Sequence, residues 1–435
     1  MPNFRIITFG CKVNQCDSAG LAQMLTARGW QGAPLGVAPD LILINTCTVT
    51  GRSDQQARQA VRRVAREHPE ASLWVTGCYA QRAPAEVAVL PGVQAVLGNR
   101  EKLRLAQLVA ETLETTSPRL CVGGYSGGEP FHPWPVHPFP GHTRIWFKVQ
   151  DGCSRQCSYC IVPRVRGRSR SMEPLKVTMA LKEVAALGYR EVVLTGVDLG
   201  QYGQDLLPTG SLTALVRRLK EPAWPFRVRF SSIEPEGITP ALLKECAAWE
   251  EFCPHFHLPL QSGAASVLRA MGRPYNPKHF QDLVREINRY FPDAALGLDI
   301  LSGFPTETAS DFEATRSLVE SLPVAYLHVF PFSPRPGTAA ASLPRLAVKE
   351  VQARARIMRQ LGQRKKLEFQ QRQLGKIREV LVEGPAPQAG WLKGLSDNYL
   401  RVIFPGPLKW RNHRLMVRLE KLQGEVLAGG AVQKP

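Results

Sequence analysis

The sequence lacks a hydrophobic run that could cross a membrane. No apolar stretch approaches the roughly 18 residues that a bilayer span requires. Residues 1–5 show neither the basic start nor the apolar core of a secretory signal. The composition, with 44% hydrophobic and 21% charged residues, also excludes a disordered or collagen-like chain. We therefore expect a folded protein that works in the cytoplasm.

Structural disulfides are not expected in such a protein, because the cytosol keeps thiols reduced. The chain nevertheless contains 10 cysteines. Clustered cysteines in a cytosolic protein more often bind metal or carry out redox chemistry.

Acidic residues are scarce relative to basic ones. The chain has 55 Lys and Arg against 37 Asp and Glu, a net charge of +18. Residues 345–435 alone hold 19 basic and 7 acidic residues. This imbalance favours a polyanionic partner such as a nucleic acid. The alternative is a solvated helix face followed by a basic tail.

The periodicity predicts an α/β protein with three domains. Residues 1–115 alternate buried strands (4–9, 40–44, 72–76) with helices (15–28, 53–67), which indicates a doubly wound parallel sheet. Residues 116–142 are rich in Gly and Pro, which predicts a linker. Residues 143–371 contain six βα units, typical of a partial (β/α)6 barrel. Residues 372–435 hold short strands that suggest a small β-barrel, a common nucleic-acid platform.

The predicted barrel domain contains a C-x3-C-x2-C run directly after its first strand. Its members are Cys153, Cys157 and Cys160. Three thiolates in one loop can hold three irons of a four-iron cluster and leave the fourth iron open to a substrate. The alternatives are a zinc site without its fourth ligand, or reactive free thiols.

Three further cysteines are far apart in sequence but share one position in the predicted sheet. Cys11, Cys47 and Cys78 each follow the carboxyl end of a predicted strand. Those ends meet at one edge of a parallel sheet, so the three thiols can converge on a second cluster. The alternative is three ordinary buried cysteines.

These residues carry a family resemblance that covers nearly the whole chain. The Cys153–Cys157–Cys160 loop, with aromatic Tyr159 before its last cysteine, resembles the radical S-adenosylmethionine (SAM) signature. The other trio resembles the methylthiotransferase domain. Short sequence motifs along the chain are similar to those of the MtaB type of that family. The matching segments are GCKVNQ at 10–15, NTCTVT at 45–50, GCYAQ at 77–81, GRSRS at 167–171, SSIEP at 231–235, HLPLQSG at 257–263 and GFPTET at 303–308. The C-terminal module lies where this family has its RNA-binding TRAM domain.

The resemblance implies an enzyme with two 4Fe–4S clusters. SAM would chelate the open iron held by the C-x3-C-x2-C loop, and its reductive cleavage would give a 5′-deoxyadenosyl radical. The cluster of the N-terminal trio would carry the sulfur, which a first SAM methylates. The implied product is a methylthio group on C2 of N6-threonylcarbamoyladenosine at position 37, in the tRNA anticodon loop. A one-electron reductant such as flavodoxin or ferredoxin and a sulfur donor are implied as partners.

Candidates for the SAM pocket lie near the ends of the predicted barrel strands, together with Tyr159 in the cysteine loop. They are Gly196, Val197, Ser232, Glu234, Gln261 and Asp299. Each could instead be a helix cap or a satisfied core polar group. Candidates for RNA contacts are the basic residues Arg401, Lys409, Arg411 and Arg414, with Trp410 able to stack on a base.

Three other functions remain open on the sequence. An isopentenyl-adenosine tRNA methylthiotransferase would share both clusters and differ mainly in the base pocket. A ribosomal-protein methylthiotransferase is disfavoured by the basic C-terminal region. A non-catalytic iron–sulfur RNA-binding protein is disfavoured because structural metal sites tend to be closed by protein ligands.

Overall fold

A computed structural model describes residues 1–34, 36–111, 118–136, 138–139, 141–206, 208 and 210–432. Its contacts divide the chain into two compact units. The first comprises Met1–Pro138, Asp151–Arg170 and Ser333–Ala341, and the second comprises Phe139–Gln150, Ser171–Phe332 and Ser342–Pro435. The predicted linker 116–142 falls partly outside the described residues, and the domain boundaries at 115, 142 and 371 stay predictions.

The first unit contains a six-stranded parallel sheet, which confirms the predicted α/β class. The strand order is Gln31–Gly32, Asn3–Thr8, Leu41–Thr46, Ser72–Gly77, Val93–Leu97 and Arg119–Cys121. The helices are Lys12–Thr26, Gly51–Glu67, Cys78–Arg82, Pro84–Ala88, Leu105–Ala110 and Val162–Arg166, with a 3-10 turn at Glu101–Arg104. Strand Leu41–Thr46 is buried along its whole length, as a central parallel strand must be.

The second unit contains the six strands predicted for the partial barrel, in two parallel three-stranded sheets. One sheet has the order Arg227–Phe230, Glu191–Thr195 and Arg144–Lys148, and the other has His255–Gln261, Ala295–Ser302 and Tyr326–Pro331. Isolated bridges such as Ser232 to His257 join the two sheets. The helices are Pro174–Ala186, Leu212–Leu219, Pro240–Ala247, Ala265–Ala270, Pro277–Tyr290, Ala309–Ser321 and Val348–Arg372. None of the described helices is both long and apolar enough to span a bilayer.

The C-terminal module is a closed five-stranded barrel. Its strands follow the order Ile377–Pro385, Trp391–Ser396, Arg401–Pro405, Val426–Ala431 and Arg414–Gln423. The sequence predicted the other four strands, at 376–382, 390–395, 399–403 and 414–419, but not Val426–Ala431, whose Gly429 and Gly430 weaken the strand signal. Gly429 lies against the backbone oxygen of Arg418, where a Cβ would be only 1.9 Å away. The glycine therefore permits barrel closure.

This small barrel covers the amino-terminal ends of the parallel strands. Arg227 and Arg229 are buried, and both donate to the carboxylate of buried Glu191, at 2.7 and 2.9 Å. Their remaining N–H groups donate to backbone oxygens of the barrel, from Arg227 to Leu395 at 2.8 Å and from Arg229 to Ser396 at 3.0 Å. Burial alone would raise the pKa of Glu191, but the charges of the two arginines hold it well below its usual range. The barrel is thus packed onto the central strands through charge-assisted hydrogen bonds.

We expect Glu191→Ala to destabilise the second unit by about 3–5 kcal/mol, because it leaves two buried guanidinium groups without their carboxylate. The measurement is the urea midpoint of the full chain followed by tryptophan fluorescence. The matched control is Glu183→Ala, on the exposed face of helix Pro174–Ala186. Equal midpoints for the two variants would show that the Glu191 network does not hold the barrel in place.

Candidate metal centres

The first unit places Cys11, Cys47 and Cys78 at one edge of its sheet. Cys11 precedes helix Lys12–Thr26, Cys47 follows strand Leu41–Thr46, and Cys78 follows strand Ser72–Gly77. The strands that precede them are adjacent and parallel, so their carboxyl ends lie side by side. The arrangement is the one expected from the strand-end pattern in the sequence.

Gly10 brings the first strand end against Cys47. Its φ of +99° favours glycine, and a Cβ there would lie 2.7 Å from the Cβ of Cys47 and 3.0 Å from its Sγ. The thiol of Cys47 is buried, and burial raises its pKa to about 12, with further contributions from the charges of Cys78 and Cys11. Three thiolates can therefore coexist here only if positive charge compensates them.

Buried cations supply part of that charge. Arg166 and Lys102 are 3% and 1% exposed, and both reach the carboxylate of Asp17, at 2.9 and 3.0 Å. Burial works against the charged form of Arg166, but the charges of Asp151, Cys78, Asp17 and Cys11 outweigh it and raise its pKa. Arg166 thus lies within electrostatic reach of two thiols of the trio, as suits a site for an anionic thiolate–metal centre.

Arg166 also ties the two cysteine sites together. It ends helix Val162–Arg166, which follows the second cysteine loop. Its guanidinium donates to Asn14 Oδ1 at 2.6 Å, and the side-chain amide of Asn14 donates to the backbone oxygens of Phe9 (2.7 Å) and Thr46 (2.9 Å). One buried side chain therefore links the exit of one cysteine loop to the strand ends that carry Cys11 and Cys47.

A second buried network lies beside Cys47. The hydroxyl of Thr48 donates to Asp54 at 2.6 Å. Asp54 also accepts hydrogen bonds from Arg82 at 3.2 Å and from Arg335. Arg335 is 2% exposed and belongs to a segment almost 300 positions later in the chain. Thr48, which follows Cys47, is thus held by contacts between residues far apart in the sequence. No local sequence pattern predicts these contacts.

The Cys153–Cys157–Cys160 loop is closed by its own backbone. Gly152 has φ +74°, and a Cβ there would lie 2.0 Å from the oxygen of Arg168. The N–H of Cys153 donates to the oxygen of Gly167 at 3.0 Å, and that of Cys160 donates to the oxygen of Cys157 at 3.1 Å. Cys153 is buried, while Cys157, Cys160 and Tyr159 are half-buried. Backbone contacts therefore fix the start of the loop, whereas its last two cysteines are only partly buried.

Both cysteine sets therefore fit an iron–sulfur cluster by the chemistry of their donors. Thiolates are the ligands that such clusters take from proteins. The backbone N–H of Arg155 donates to Cys153 Sγ at 3.5 Å, and the side-chain amide of Asn99 lies 3.7 Å from Cys78 Sγ. Such hydrogen bonds to sulfur are one means by which proteins adjust cluster potentials. The assignment of these six thiols as cluster ligands stays a prediction.

The predicted SAM residues of the second unit lie where the strands end, with one exception. Gly196 and Val197 follow strand Glu191–Thr195, and Gln261 ends strand His255–Gln261 with φ +64°, which is uncommon for a residue other than glycine. Strand Ala295–Ser302 continues past Asp299, so Asp299 lies within the strand and not at its end. Their role toward SAM stays a prediction.

Glu234 and Ser232, the two remaining candidates, make different contacts. Glu234 forms an ion pair with buried Arg273. Ser232 and Asp299 are joined through His257, whose ring nitrogens lie 3.1 Å from the Ser232 hydroxyl and 2.8 Å from Asp299 Oδ1. His257 and His328 were not singled out from the sequence. The alternation of side chains along each strand could have indicated them, because His257, Asp299 and His328 occupy one face of neighbouring strands.

The candidate RNA residues of the C-terminal barrel differ in their surroundings. Arg401 and Lys409 are exposed. Arg411 donates to the backbone oxygen of Gly141 at 2.7 Å, and Arg414 lies 3.6 Å from Glu379. Trp410 is half-buried and packs against the barrel core. Arg411 is exposed as well, whereas Arg414 and Trp410 are half-buried, and the RNA role of all five stays a prediction.

Comparison with known families matches both cysteine regions. A family described as Uncharacterized protein family UPF0004 matches residues 3–98, which include Cys11, Cys47 and Cys78. A family described as Radical SAM superfamily matches residues 147–319, which include the second cysteine loop.

Curated relatives extend over nearly the whole chain. The Threonylcarbamoyladenosine tRNA methylthiotransferase MtaB of Aquifex aeolicus is 35% identical over 91% of this chain and 95% of its own length. The protein of the same name from Thermotoga maritima is 33% identical over 98% of this chain and 96% of its own length. The tRNA-2-methylthio-N(6)-dimethylallyladenosine synthase of Pelotomaculum thermopropionicum is 33% identical, over 93% and 92%.

Among solved structures, the radical SAM methyltransferase TsrM from Kitasatospora setae, with tryptophan and a SAM analogue bound, is similar. The TM-score is 0.56 at 16% identity, covering 78% of this chain and 75% of that chain. At this identity the similarity concerns the fold alone, and it agrees with the partial barrel described above.

Proposed function

The chain belongs to the radical SAM methylthiotransferase family, MtaB type, and from that premise we propose that it adds a methylthio group to C2 of N6-threonylcarbamoyladenosine at position 37 of tRNA. In this proposal SAM serves both as methyl donor and as radical source. The observation that carries it is the presence, in one compact unit, of two sets of three cysteines linked by buried Arg166.

The cofactors of this family are SAM and two 4Fe–4S clusters. We assign the SAM-chelating cluster to Cys153, Cys157 and Cys160, and the second cluster to the N-terminal trio. When bound, these groups supply the electron for SAM cleavage and the sulfur for transfer, which is chemistry that no side chain can supply.

The residues of the chain hold these sites and exclude water from them. Arg166 brings buried positive charge within electrostatic reach of Cys78 and Cys11 of the N-terminal trio. Ile161 and Val165, which follow the second loop, form a buried apolar cluster with Cys78. Shielding of this kind protects a reactive radical from solvent and stray side chains. Our candidates for contacts to SAM are Tyr159, the residues at or after strand ends (Gly196, Val197, Ser232, Glu234 and Gln261), and Asp299 within its strand.

The substrate and partners complete the proposal. The relatives are named for tRNA, and the net charge of +18 favours such a polyanion. A target adenine must be unstacked from its neighbours, which suits a nucleotide of the anticodon loop. We further propose a cytoplasmic location, a one-electron reductant such as flavodoxin or ferredoxin, and a separate sulfur donor.

We expect the double variant Arg401→Gln/Lys409→Gln to bind tRNA more weakly and to reduce the log–log salt slope of binding by about 1.4–1.8, since each lost phosphate contact removes about 0.7–0.9 of slope. Point variants are preferable to deletion of the small barrel, because that barrel shares its core with Ala295, Ala325 and Phe369. The matched control is Lys182→Gln/Arg269→Gln, two exposed positions outside the barrel. A double variant with the slope of the control would place the tRNA contacts elsewhere.

The test of the proposed function is nucleoside analysis of tRNA from cells that lack the gene. We expect unmethylthiolated N6-threonylcarbamoyladenosine to accumulate, and the wild-type gene to restore the methylthio product. A gene encoding Cys153→Ala should not restore it. If 2-methylthio-dimethylallyladenosine disappeared instead, the chain would share the activity for which the Pelotomaculum relative is named, and our proposal would be wrong.

A further inference from the structure

A histidine–aspartate cluster lies on the strands of the second barrel sheet. His257 Nε2 is 2.8 Å from Asp299 Oδ1, and His328 Nδ1 is 3.3 Å from the same oxygen. Asp299 and His328 are direct neighbours in the register of their strands. The hydroxyl of Ser232 reaches the other ring nitrogen of His257 at 3.1 Å. One carboxylate therefore fixes two imidazole rings.

The cluster faces the inside of the partial barrel. Leu327, one residue before His328, packs against Gly362 of helix Val348–Arg372 on the outer side. Because side chains alternate along a strand, Tyr326, His328 and Phe330 point to the opposite, inner side. The contact of Tyr326 with the ring of His257 agrees with this orientation.

Accessibility increases from one end of the cluster to the other. The side chains of His257 and Asp299 are 12% and 18% exposed, whereas that of His328 is 51% exposed. Phe330 is 44% exposed and its ring centroid lies 6.4 Å from that of His328, at 75°. The inner wall thus presents an apolar ring beside an accessible imidazole.

The hydrogen bonds determine what His328 can offer to a ligand. Burial by itself raises the pKa of Asp299, but hydrogen bonds from His257 and His328 outweigh it and lower that pKa to about 2. The carboxylate is then an anionic acceptor, and His328 donates its Nδ1–H to it. Its Nε2 then carries a lone pair that can accept a hydrogen bond from a ligand, and His328 is the most exposed of the three side chains.

We propose that His328 and Phe330 form the subsite for the N6 substituent of the target adenine, with Asp299 and His257 as positioning residues. The inference rests on the proposed function and deepens it. Phe330 offers an apolar face to the base, and His328 offers a hydrogen bond to the substituent. A threonylcarbamoyl group has N–H and hydroxyl groups that can donate a hydrogen bond to Nε2 of His328, whereas a dimethylallyl group has no donor. A dimethylallyl group would cover the imidazole and leave it unpaired, which is costly.

The test compares two anticodon stem–loops that differ only in the N6 substituent of A37, threonylcarbamoyl or dimethylallyl. The full-length protein, with both clusters reconstituted, is assayed for kcat, KM and binding of each. His328→Leu should reduce the preference for threonylcarbamoyl by roughly 10- to 100-fold, mainly through a higher KM and weaker binding of that stem–loop. His328→Gln, which keeps a hydrogen-bonding end, should retain most of the preference. The matched control is His279→Leu, at an exposed position of helix Pro277–Tyr290, which should retain all of it.

The outcomes separate this inference from the function on which it rests. Wild-type protein that does not act on the threonylcarbamoyl stem–loop would overturn the proposed function itself. Wild-type protein that acts on it, while His328→Leu keeps the full preference, would overturn only the subsite. One equivalent of zinc or manganese in the wild-type protein, lost in His328→Leu, would identify the cluster as a cation site and also overturn the subsite.

Discussion

Replacing Cys153, Cys157 and Cys160 together by Ala should abolish SAM cleavage and remove about half of the iron, from about eight to about four atoms per chain. The loop supplies all the protein ligands of one proposed cluster. The ligands of the other follow three separate strands of the sheet, so that cluster should survive. The measurements are iron content after anaerobic reconstitution and the release of 5′-deoxyadenosine from SAM.

The matched control for this variant is Cys121→Ala. Cys121 is half-buried at the end of strand Arg119–Cys121 and belongs to neither set. It should keep its iron and its SAM cleavage. Full iron content in the triple variant, or undiminished release of 5′-deoxyadenosine, would mean that the loop is not the site of SAM chemistry.

The second large effect concerns the N-terminal trio. Cys47→Ala should stop formation of the methylthio nucleoside and leave release of 5′-deoxyadenosine measurable. The substitution removes one buried thiol of the trio but leaves the second loop and its Arg166 anchor intact. The smaller side chain is also compatible with the close approach of Gly10. The two products are quantified by mass spectrometry in the same reaction.

The comparison variant is Cys16→Ala, a buried cysteine of the first helix outside both sets. Its product yield should follow its folded fraction. If Cys47→Ala made the methylthio nucleoside at the wild-type rate, the N-terminal trio would have a purely structural role.

Sequence reasoning located both cysteine sets because backbone geometry makes them predictable. Cys11, Cys47 and Cys78 are spread over almost 70 residues, yet the alternation of strands and helices implies a parallel sheet whose carboxyl ends share one edge. Helices Pro277–Tyr290 and Ala309–Ser321 begin directly after Asn276 and Thr308, whose side chains cap them. Local signals of this kind are strong.

The surroundings of the site could not be predicted in the same way. Arg166 meets Asp17 across 149 positions, and Arg335 meets Asp54 across 281. A buried arginine looks like a surface arginine in sequence, since its partner is fixed only by the folded chain. The packing of the small barrel on Arg227 and Arg229 escaped prediction for the same reason. His328 was overlooked because a single exposed histidine in an apolar strand carries no motif.

The most direct test of the account is a single reaction with purified, anaerobically reconstituted protein, SAM, a one-electron reductant and tRNA that bears N6-threonylcarbamoyladenosine at position 37. The nucleosides are then analysed by mass spectrometry. The account predicts a new nucleoside in which a methylthio group replaces the hydrogen on C2, together with 5′-deoxyadenosine. Release of 5′-deoxyadenosine with the threonylcarbamoyl nucleoside unchanged, under conditions in which both clusters are present, would contradict it.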